Sequence, residues 1–233
     1  MIAILMAAGL GTRMKPLTEK TAKPLVKVFG KSMIETIIDG LEGVVDEVYV
    51  VVGYKKEQFE FLEQKYKNLK LIENKEYQTI NNISSIHAAR DVMGKDDCFI
   101  CEADLFVSDT SIFVDTLSSS CYYGVFVKGY SDDWVFDQDQ NGVITRVGKF
   151  GTDKYNMCGV SFFKKAEAKI IRDKIDELYT KPGEYENLYW DDAVNMSLDK
   201  LKLGVLPVKR EQIIEIDSVA ELEAFDPNYK NYN

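Results

Sequence analysis

A glycine-rich loop near the N terminus carries the strongest indication of chemistry. The run A-A-G-L-G-T-R-M-K-P-L-T at residues 7–18 follows an apolar segment. Gly9 and Gly11 let the backbone approach a phosphate closely, and Arg13 and Lys23 would supply countercharge. A dinucleotide-binding loop would have a third glycine three residues after Gly11, and a Walker loop would have Gly-Lys-Ser/Thr. Neither of these familiar phosphate motifs fits.

Carboxylates occur at two places that could serve a ligand. Asp104 ends the apolar run C-F-I-C-E-A-D, and Glu102 lies on the same face, two residues earlier. Near the C terminus, Glu215 and Asp217 share one face of an extended segment that precedes a helix. Open α/β sheets bind ligands at the carboxyl ends of their strands, which favours Asp104. For Glu215, an ordinary solvated surface acid is an equal alternative.

The composition excludes several other kinds of chemistry. The 233 residues include 29 Lys and Arg against 38 Asp and Glu, which gives a net charge of −9. An acidic chain is a poor candidate for nucleic-acid binding, which needs a dense cationic surface. The single histidine, His87, excludes histidine relays and multi-histidine metal sites. Chemistry in this protein should therefore rest on carboxylates, lysine and arginine.

The elements that position these residues alternate between strand and helix in the first half of the chain. Apolar runs predict strands, and helical periodicity or a capping signal predicts helices between them. The predicted strands are 2–8, 47–53, 69–72 and 98–104, and the predicted helices are 32–41, 55–66 and 83–93. This order indicates an α/β fold with a Rossmann-like, doubly wound and mostly parallel sheet.

After residue 120 the pattern changes to short strands without helices between them. The segments 122–128, 135–136 and 143–147 are predicted strands, and Asn-Gly at 141–142 predicts a hairpin turn. We interpret residues 1–233 as one domain, with a core at about 1–120 and 158–226 and a small β-rich lid or insertion at about 121–157.

The length of the apolar runs and the placement of the cysteines predict the cellular location. The longest apolar run is too short to span a membrane and leads into glycines, so no membrane association is expected. Cys98 and Cys101 point to opposite faces of a predicted strand and cannot bind one metal together. They are expected to be small core residues in a reducing compartment, and the predicted location is cytoplasmic.

The glycine-rich loop resembles the signature of the nucleotidyltransferase superfamily, G-x-G-T-R-x-x-P-L-T followed by K-P-L. The match is complete from Gly9 to Leu25. The resemblance implies an enzyme in which Ala7, Ala8, Gly9, Gly11 and Thr12 bind the nucleotide. It also implies that Arg13 binds the β- and γ-phosphates, and that Lys23 bridges the α-phosphate and the acceptor phosphate.

The resemblance also implies the cofactor and the reaction. Asp104 and Asp217, with Glu215 less strongly indicated, would bind Mg²⁺. An acceptor phosphate would attack the α-phosphorus of a nucleoside triphosphate in line, and pyrophosphate would leave. A phosphomonoester has a second pKa of about 6 and is mostly dianionic at neutral pH, so no general base is needed. Charge neutralisation and positioning suffice, in agreement with a chain that has one histidine.

Two further segments are similar to bacterial choline-phosphate cytidylyltransferases: N-K-E-Y-Q-T-I-N-N-I-S-S-I at 74–86 and L-Y-W-D-D at 188–192. This likeness implies CTP and phosphocholine as substrates and CDP-choline as product, with Asn82 and Ser84 near the cytidine. Both tryptophans of the chain adjoin paired acids, a combination that suits a quaternary ammonium ion. The residues expected around the choline group are Trp134, Tyr189, Trp190, Asp191 and Asp192. Core or lid packing is the alternative for each aromatic residue.

Three alternatives remain at this point. A sugar 1-phosphate or another small phosphate or phosphonate could be the acceptor in the same chemistry. The chain could instead be a non-catalytic nucleotide-binding regulatory module on this fold. In relatives of this type the cytidylyltransferase can precede a choline kinase domain, so the chain could also be the N-terminal module of a longer bifunctional protein.

Overall fold

Strands and helices alternate through the first half of the chain, as its apolar periodicity predicts. The computed structural model describes residues 1–230. The strands are β1 (Ile2–Ala7), β2 (Lys27–Val28), β3 (Lys31–Ser32), β4 (Glu47–Val52), β5 (Leu69–Glu73), β6 (Cys98–Glu102), β7 (Leu105–Val107), β8 (Cys121–Gln138), β9 (Ile144–Phe163), β10 (Gly204–Pro207) and β11 (Ile213–Glu215). The α-helices are α1 (Leu17–Lys20), α2 (Met33–Leu41), α3 (Glu60–Lys65), α4 (Ile83–Ala88), α5 (Lys165–Tyr179), α6 (Trp190–Asn195) and α7 (Val219–Phe225).

A seven-stranded sheet in the order β10-β8-β9-β6-β1-β4-β5 forms the centre of the fold. The pairs β6-β1, β1-β4, β4-β5 and β10-β8 are parallel, whereas β9 runs antiparallel to both of its neighbours. Helices α2 and α3 pack on one face of the sheet, and α4, α5 and α6 pack on the other. The predicted α/β class with a mostly parallel sheet is confirmed.

The long strands β8 and β9 form the β-rich part of the second half. They bend back, so that Val135 pairs with both Gly148 and Asn156. Residues 121–124 pair with β10 and therefore belong to the central sheet. The predicted division into a core and an insertion at about 121–157 stays a prediction, but its first residues are strand residues of the sheet.

Two local details refine the predictions. The helix predicted at 83–93 ends at Ala88, and turns follow up to Gly94, which has a φ of 77°. Cys98 and Cys101 are free and completely buried in the sheet, as predicted.

No helix among residues 1–230 is both long and apolar enough to cross a membrane. The cytoplasmic location stays a prediction.

Strand pairing brings the two acidic segments together. The carboxyl ends of β1 and β6 are neighbours because these strands are parallel and paired. β11 pairs antiparallel with β7, with Glu215 opposite Leu105, so the late acids lie beside the residues that follow β6. Ser218 caps α7 by accepting a hydrogen bond from the Glu221 amide, as its position predicts. One end of the sheet thus collects residues from positions 9 to 217.

Candidate active site

In the loop after β1, the conformation of Gly11 and its lack of a Cβ atom leave the backbone accessible. This residue has a φ of 61°, in the left-handed region that favours glycine. A Cβ atom there would lie 2.9 Å from side-chain atoms of both Lys23 and Thr18. The Thr18 hydroxyl also donates to the Gly11 carbonyl oxygen at 2.8 Å, which holds the loop in place. A loop of this form can bring its amides close to an anion.

Lys23 lies at the centre of the charged groups. Its Nζ is 2.6 Å from Oδ2 of Asp104 and 2.6 Å from Oδ1 of Asp217, and Arg13 Nη1 is 2.8 Å from Oδ2 of Asp217. Burial alone would lower the pKa of Lys23, but the charges and hydrogen bonds of both aspartates outweigh it and raise that pKa. Partial burial would raise the pKa of Asp217, and the two cations lower it. Lys23 therefore remains cationic at neutral pH.

Two glutamates, Glu102 and Glu215, lie beside these four charged groups. Burial, followed by the charges of Asp104 and Glu215, raises the pKa of Glu102 well above its usual range. Desolvation by the surrounding protein, followed by the charges of Asp217 and Asp104, raises the pKa of Glu215, although this residue is exposed at the cavity wall. The raised pKa values favour the protonated glutamates at neutral pH, and a further cation bound here would favour their ionised forms.

A first cavity, the glycine-loop cavity, occupies about 270 Å³ above the ends of β1 and β6. The cavity is lined by the glycine loop, by the charged groups of Arg13, Lys23, Asp104 and Asp217, and by residues at the start of α4. The lining residues are Met6, Ala7, Ala8, Gly9, Gly11, Thr12, Arg13, Lys23, Pro24, Asn82, Ser85, Glu102, Asp104 and Asp217.

A second cavity, the aromatic cavity, occupies about 460 Å³ and opens onto the same charged groups. Its lining residues are Arg13, Glu102, Asp104, Asp132, Asp133, Trp134, Lys149, Met157, Gly159, Tyr189, Glu215 and Asp217. Four of these also line the glycine-loop cavity: Arg13, Glu102, Asp104 and Asp217. Two bound molecules could therefore meet at the Asp104–Asp217 edge.

Two aromatic rings form one side of the aromatic cavity. Trp134 and Tyr189 meet edge to face, with ring centroids 5.4 Å apart and an interplanar angle of 67°. The Asp133 carboxylate accepts a hydrogen bond from the Trp134 amide at 2.7 Å, which holds this carboxylate beside the ring on β8. Aromatic faces together with the carboxylates of Asp132 and Asp133 form a surface that attracts an organic cation.

The family of this chain follows from its sequence matches. Residues 3–134 match the MobA-like NTP transferase domain, which covers more than half of the chain. The chain belongs to this family. It is a nucleotidyltransferase, in agreement with the resemblance that its glycine loop shows.

Individual relatives are similar to this chain over almost its whole length. A 2-aminoethylphosphonate cytidylyltransferase of Lancefieldella rimae is 51% identical over 228 residues, which cover 97% of this chain and 92% of that protein. A choline-phosphate cytidylyltransferase of Streptococcus pneumoniae is 33% identical and is matched over the full length of both chains. A solved structure of CTP:phosphocholine cytidylyltransferase from Streptococcus pneumoniae superimposes with a TM-score of 0.89 and 31% identity, covering 97% of this chain and 98% of that one.

Most residues expected to bind the nucleotide lie together in this transferase. The glycine-loop cavity is lined by Ala7, Ala8, Gly9, Gly11, Thr12 and Asn82, and also by Arg13 and Lys23. Ser84 is an exception, because its side chain is buried and hydrogen-bonded to the Asn81 carbonyl oxygen and the Asn74 amide. Ser85 lines the cavity instead. Adjacent residues of a helix point about 100° apart, and sequence resemblance did not resolve which serine faces inward.

Three of the five residues expected around the choline group lie outside the aromatic cavity. Trp190 is 3% exposed and packs against Tyr122 in the core, with centroids 5.9 Å apart. Asp191 is buried and accepts a hydrogen bond from the Tyr122 hydroxyl at 2.8 Å, and Asp192 accepts one from the Tyr189 amide at 2.8 Å. Because α6 begins at Trp190, its first residues turn away from the cavity that Tyr189 faces. Only Trp134 and Tyr189 keep the predicted position.

The carboxylates fit a magnesium ion whose remaining ligands would come from substrate phosphates. Among residues 1–230 no group of three or more potential ligands is already assembled as a metal cluster. Asp104 and Asp217 nevertheless present hard oxygen donors on either side of one Nζ atom, and Glu215 lines the same cavity. Mg²⁺ is commonly held by one or two carboxylates together with substrate phosphates. Asp104 and Asp217 would hold it here, and Glu215 stays a predicted ligand.

Several lining residues had little sequence signal. Met157 and Gly159 are two residues apart on β9 and share its cavity face, but nothing in their types suggested a site. Gly159 has a φ of 73°, and a Cβ atom there would lie 2.9 Å from Oε2 of Glu102. This glycine thus leaves room for the Glu102 carboxyl. Lys149 lines the aromatic cavity as well, where a cation could meet an acceptor phosphate.

Proposed function

We propose that this enzyme transfers the cytidylyl group of CTP to 2-aminoethylphosphonate and releases pyrophosphate. The observation that carries the proposal is that the glycine-loop cavity and the aromatic cavity meet at Asp104 and Asp217, which line both. An acceptor with an anionic group at one end and an ammonium ion at the other matches this arrangement. The relative of 51% identity, a 2-aminoethylphosphonate cytidylyltransferase, supports this acceptor.

The chain's own cations support an in-line displacement. An oxygen of the acceptor's dianionic group forms a bond to the α-phosphorus, the bond from that phosphorus to the bridging oxygen breaks, and the electron pair leaves with pyrophosphate. Lys23 lines the glycine-loop cavity beside Asp104 and Asp217, from where it would offset charge on the α-phosphate and on an acceptor at the shared edge. Arg13 lines both cavities and would contact the leaving phosphates. Mg²⁺ held by Asp104 and Asp217 would add further charge neutralisation when bound.

The ammonium end of the acceptor would meet carboxylates and aromatic faces. Asp132 and Asp133 can accept hydrogen bonds from a primary ammonium group, which has three hydrogens to donate. Trp134 and Tyr189 offer the faces of their rings to the same charge. With Trp190 in the core, two rings instead of three surround the cation, and this leaves more of the recognition to carboxylates.

Phosphocholine is the second candidate acceptor. The edge-to-face pair of Trp134 and Tyr189 favours it, because a trimethylammonium group donates no hydrogen bonds and is bound by aromatic faces. Choline-phosphate cytidylyltransferases of about one-third identity support it as well. A choline kinase domain fused to this chain stays a prediction that belongs to this candidate.

A pyrophosphate-release panel tests the proposal. CTP, UTP, ATP and GTP are each combined with 2-aminoethylphosphonate, phosphocholine, phosphoethanolamine and glucose 1-phosphate, at fixed Mg²⁺. We expect the highest kcat/KM for CTP with 2-aminoethylphosphonate. A higher value with phosphocholine would replace the acceptor and retain the cytidylyl transfer. No release from CTP with any acceptor would contradict the proposed function as a whole.

A further inference from the structure

Asn82 connects the glycine-loop cavity with the start of α6 through the two ends of one amide group. Asn82 lines the glycine-loop cavity, and its Oδ1 accepts a hydrogen bond from the Trp190 backbone N–H at 2.9 Å. An N–H group can only donate, so the atom that faces it must be the amide oxygen. The other end of the amide is then Nδ2, for which the described residues provide no hydrogen-bond partner. Its two hydrogens remain available to a nucleotide in the cavity.

The bond from Asn82 helps to position the aromatic cavity. Helix α6 starts at Trp190, and the first amides of a helix have no partner within it. Asn82 satisfies the Trp190 amide, and Asp192 satisfies the Tyr189 amide at 2.8 Å. The backbone on either side of the Tyr189 ring is thus fixed by two side chains. One of them is local to α6, and the other comes from the glycine-loop cavity.

Few other contacts fix the Tyr189 ring. Its side chain is partly exposed, and its ring contact is with Trp134. Asn81 reinforces the same connection, because its amide N–H donates to the Glu186 carbonyl oxygen at 2.8 Å and its Nδ2 donates to the Asn187 carbonyl oxygen at 3.2 Å. The segment before α4 and the segment before α6 therefore form one hydrogen-bonded unit, with a different cavity at each end.

We infer that Asn82 is a positioning residue that couples the two substrates: a nucleotide that binds its Nδ2 hydrogens fixes its Oδ1 on Trp190, and this orders Tyr189 for the acceptor. The inference rests on the proposed function. Bound nucleotide should tighten acceptor binding, and acceptor should tighten nucleotide binding by the same factor. Ordering an amide and a ring before the acceptor arrives lowers the entropy cost of its binding.

Calorimetric titration of the acceptor, with and without saturating α,β-methylene-CTP, measures the coupling. The acceptor is whichever one releases pyrophosphate in the panel, so a different acceptor changes the ligand and not the test. For the wild type we expect the analogue to tighten acceptor binding by about fivefold or more. In Asn82→Ala the ratio should fall below about twofold. Asn82→Asp keeps an oxygen for the Trp190 amide but loses the Nδ2 hydrogens, so acceptor binding without nucleotide should stay near wild type while the coupling is lost.

Asp192→Ala is the matched control, because it loosens Tyr189 without touching the glycine-loop cavity. It should weaken acceptor binding equally with and without the analogue, so that the ratio stays at the wild-type value. Thermal unfolding of each variant shows whether it is folded. If no acceptor binds the wild type, the proposed function is wrong and the inference falls with it. A wild-type ratio of one, or an unchanged ratio in Asn82→Ala, overturns the inference alone.

Discussion

Lys23 and Asp217 are 194 residues apart in the chain, yet Nζ of one lies 2.6 Å from Oδ1 of the other. The contact joins the segment that follows the glycine loop and α1 to an acid near the C terminus. It also leaves Lys23 between two carboxylates, since Asp104 is equally close. The ammonium ion lines the glycine-loop cavity and contacts Asp104 and Asp217, which line both cavities, so Lys23 is an informative side chain to replace.

Replacing Lys23 by glutamine should remove charge stabilisation at the α-phosphate. We expect kcat/KM to fall by roughly 10²–10³-fold, a typical cost of losing one preorganised donor in a reaction that depends on charge. Pyrophosphate release under steady-state conditions measures this. Lys56→Gln is the matched control, because that lysine is exposed and pairs with Glu73 away from both cavities. A Lys23→Gln rate close to wild type would contradict the role.

Replacing Asp104 by asparagine should weaken magnesium binding. The change removes one anionic oxygen donor from the cavity edge, so the Mg²⁺ concentration that gives half-maximal activity should rise by roughly tenfold or more. A titration of activity with Mg²⁺ at fixed CTP measures it, and a chelator should abolish wild-type activity. Asp115→Asn, at an exposed position outside both cavities, should leave the titration unchanged. Equal magnesium curves for Asp104→Asn and wild type would rule out this ligand.

The two tryptophans should respond differently to replacement by alanine. Trp134 lines the aromatic cavity, so Trp134→Ala should raise the acceptor KM with little effect on the CTP KM. Trp190 is in the core, so Trp190→Ala should lower the free energy of unfolding by about 3–5 kcal/mol. Kinetics and chemical denaturation of both variants separate the two cases. An unchanged acceptor KM in Trp134→Ala would remove this ring from acceptor recognition.

Asp191 should make stability depend on pH. Burial, which outweighs its hydrogen bond from Tyr122, raises the Asp191 pKa to about 7, and the neighbouring Asp192 charge acts in the same direction. In the unfolded chain the carboxyl ionises near pH 4, so the folded state binds the proton more tightly between these values. Its stabilising contribution is therefore complete below about pH 4 and is lost as the pH rises to about 7.

Asp191→Asn removes this titration and keeps an oxygen for the Tyr122 hydroxyl. The free energy of unfolding of the variant relative to wild type should therefore increase with pH, by up to about 4 kcal/mol between pH 4 and pH 7. Urea denaturation at several pH values measures the difference. Parallel pH profiles of the two proteins would show that Asp191 is ionised in the folded state throughout this range.

Contiguous and local features of the site could be predicted from the sequence. The glycine loop follows a buried strand directly, so its position at the carboxyl end of β1 required only the order of the elements. Asp104, which lies two residues after β6, could be predicted by the same argument. Such features depend on residues that are neighbours in the sequence and on the parallel sheet, which the order of apolar runs predicts.

Side-chain direction and long-range pairing were decided only by the tertiary structure. Ser84 and Ser85 have the same type and adjoin each other, and the phase of α4 alone selects Ser85 for the cavity. The same effect places Trp190 in the core one residue after Tyr189. The approach of Asp217 to Lys23 depends on β11 pairing with β7 across the fold. The sequence by itself thus determined the family, the sheet and the chemistry of the loop, whereas helix phase and strand pairing determined which side chains meet the substrates.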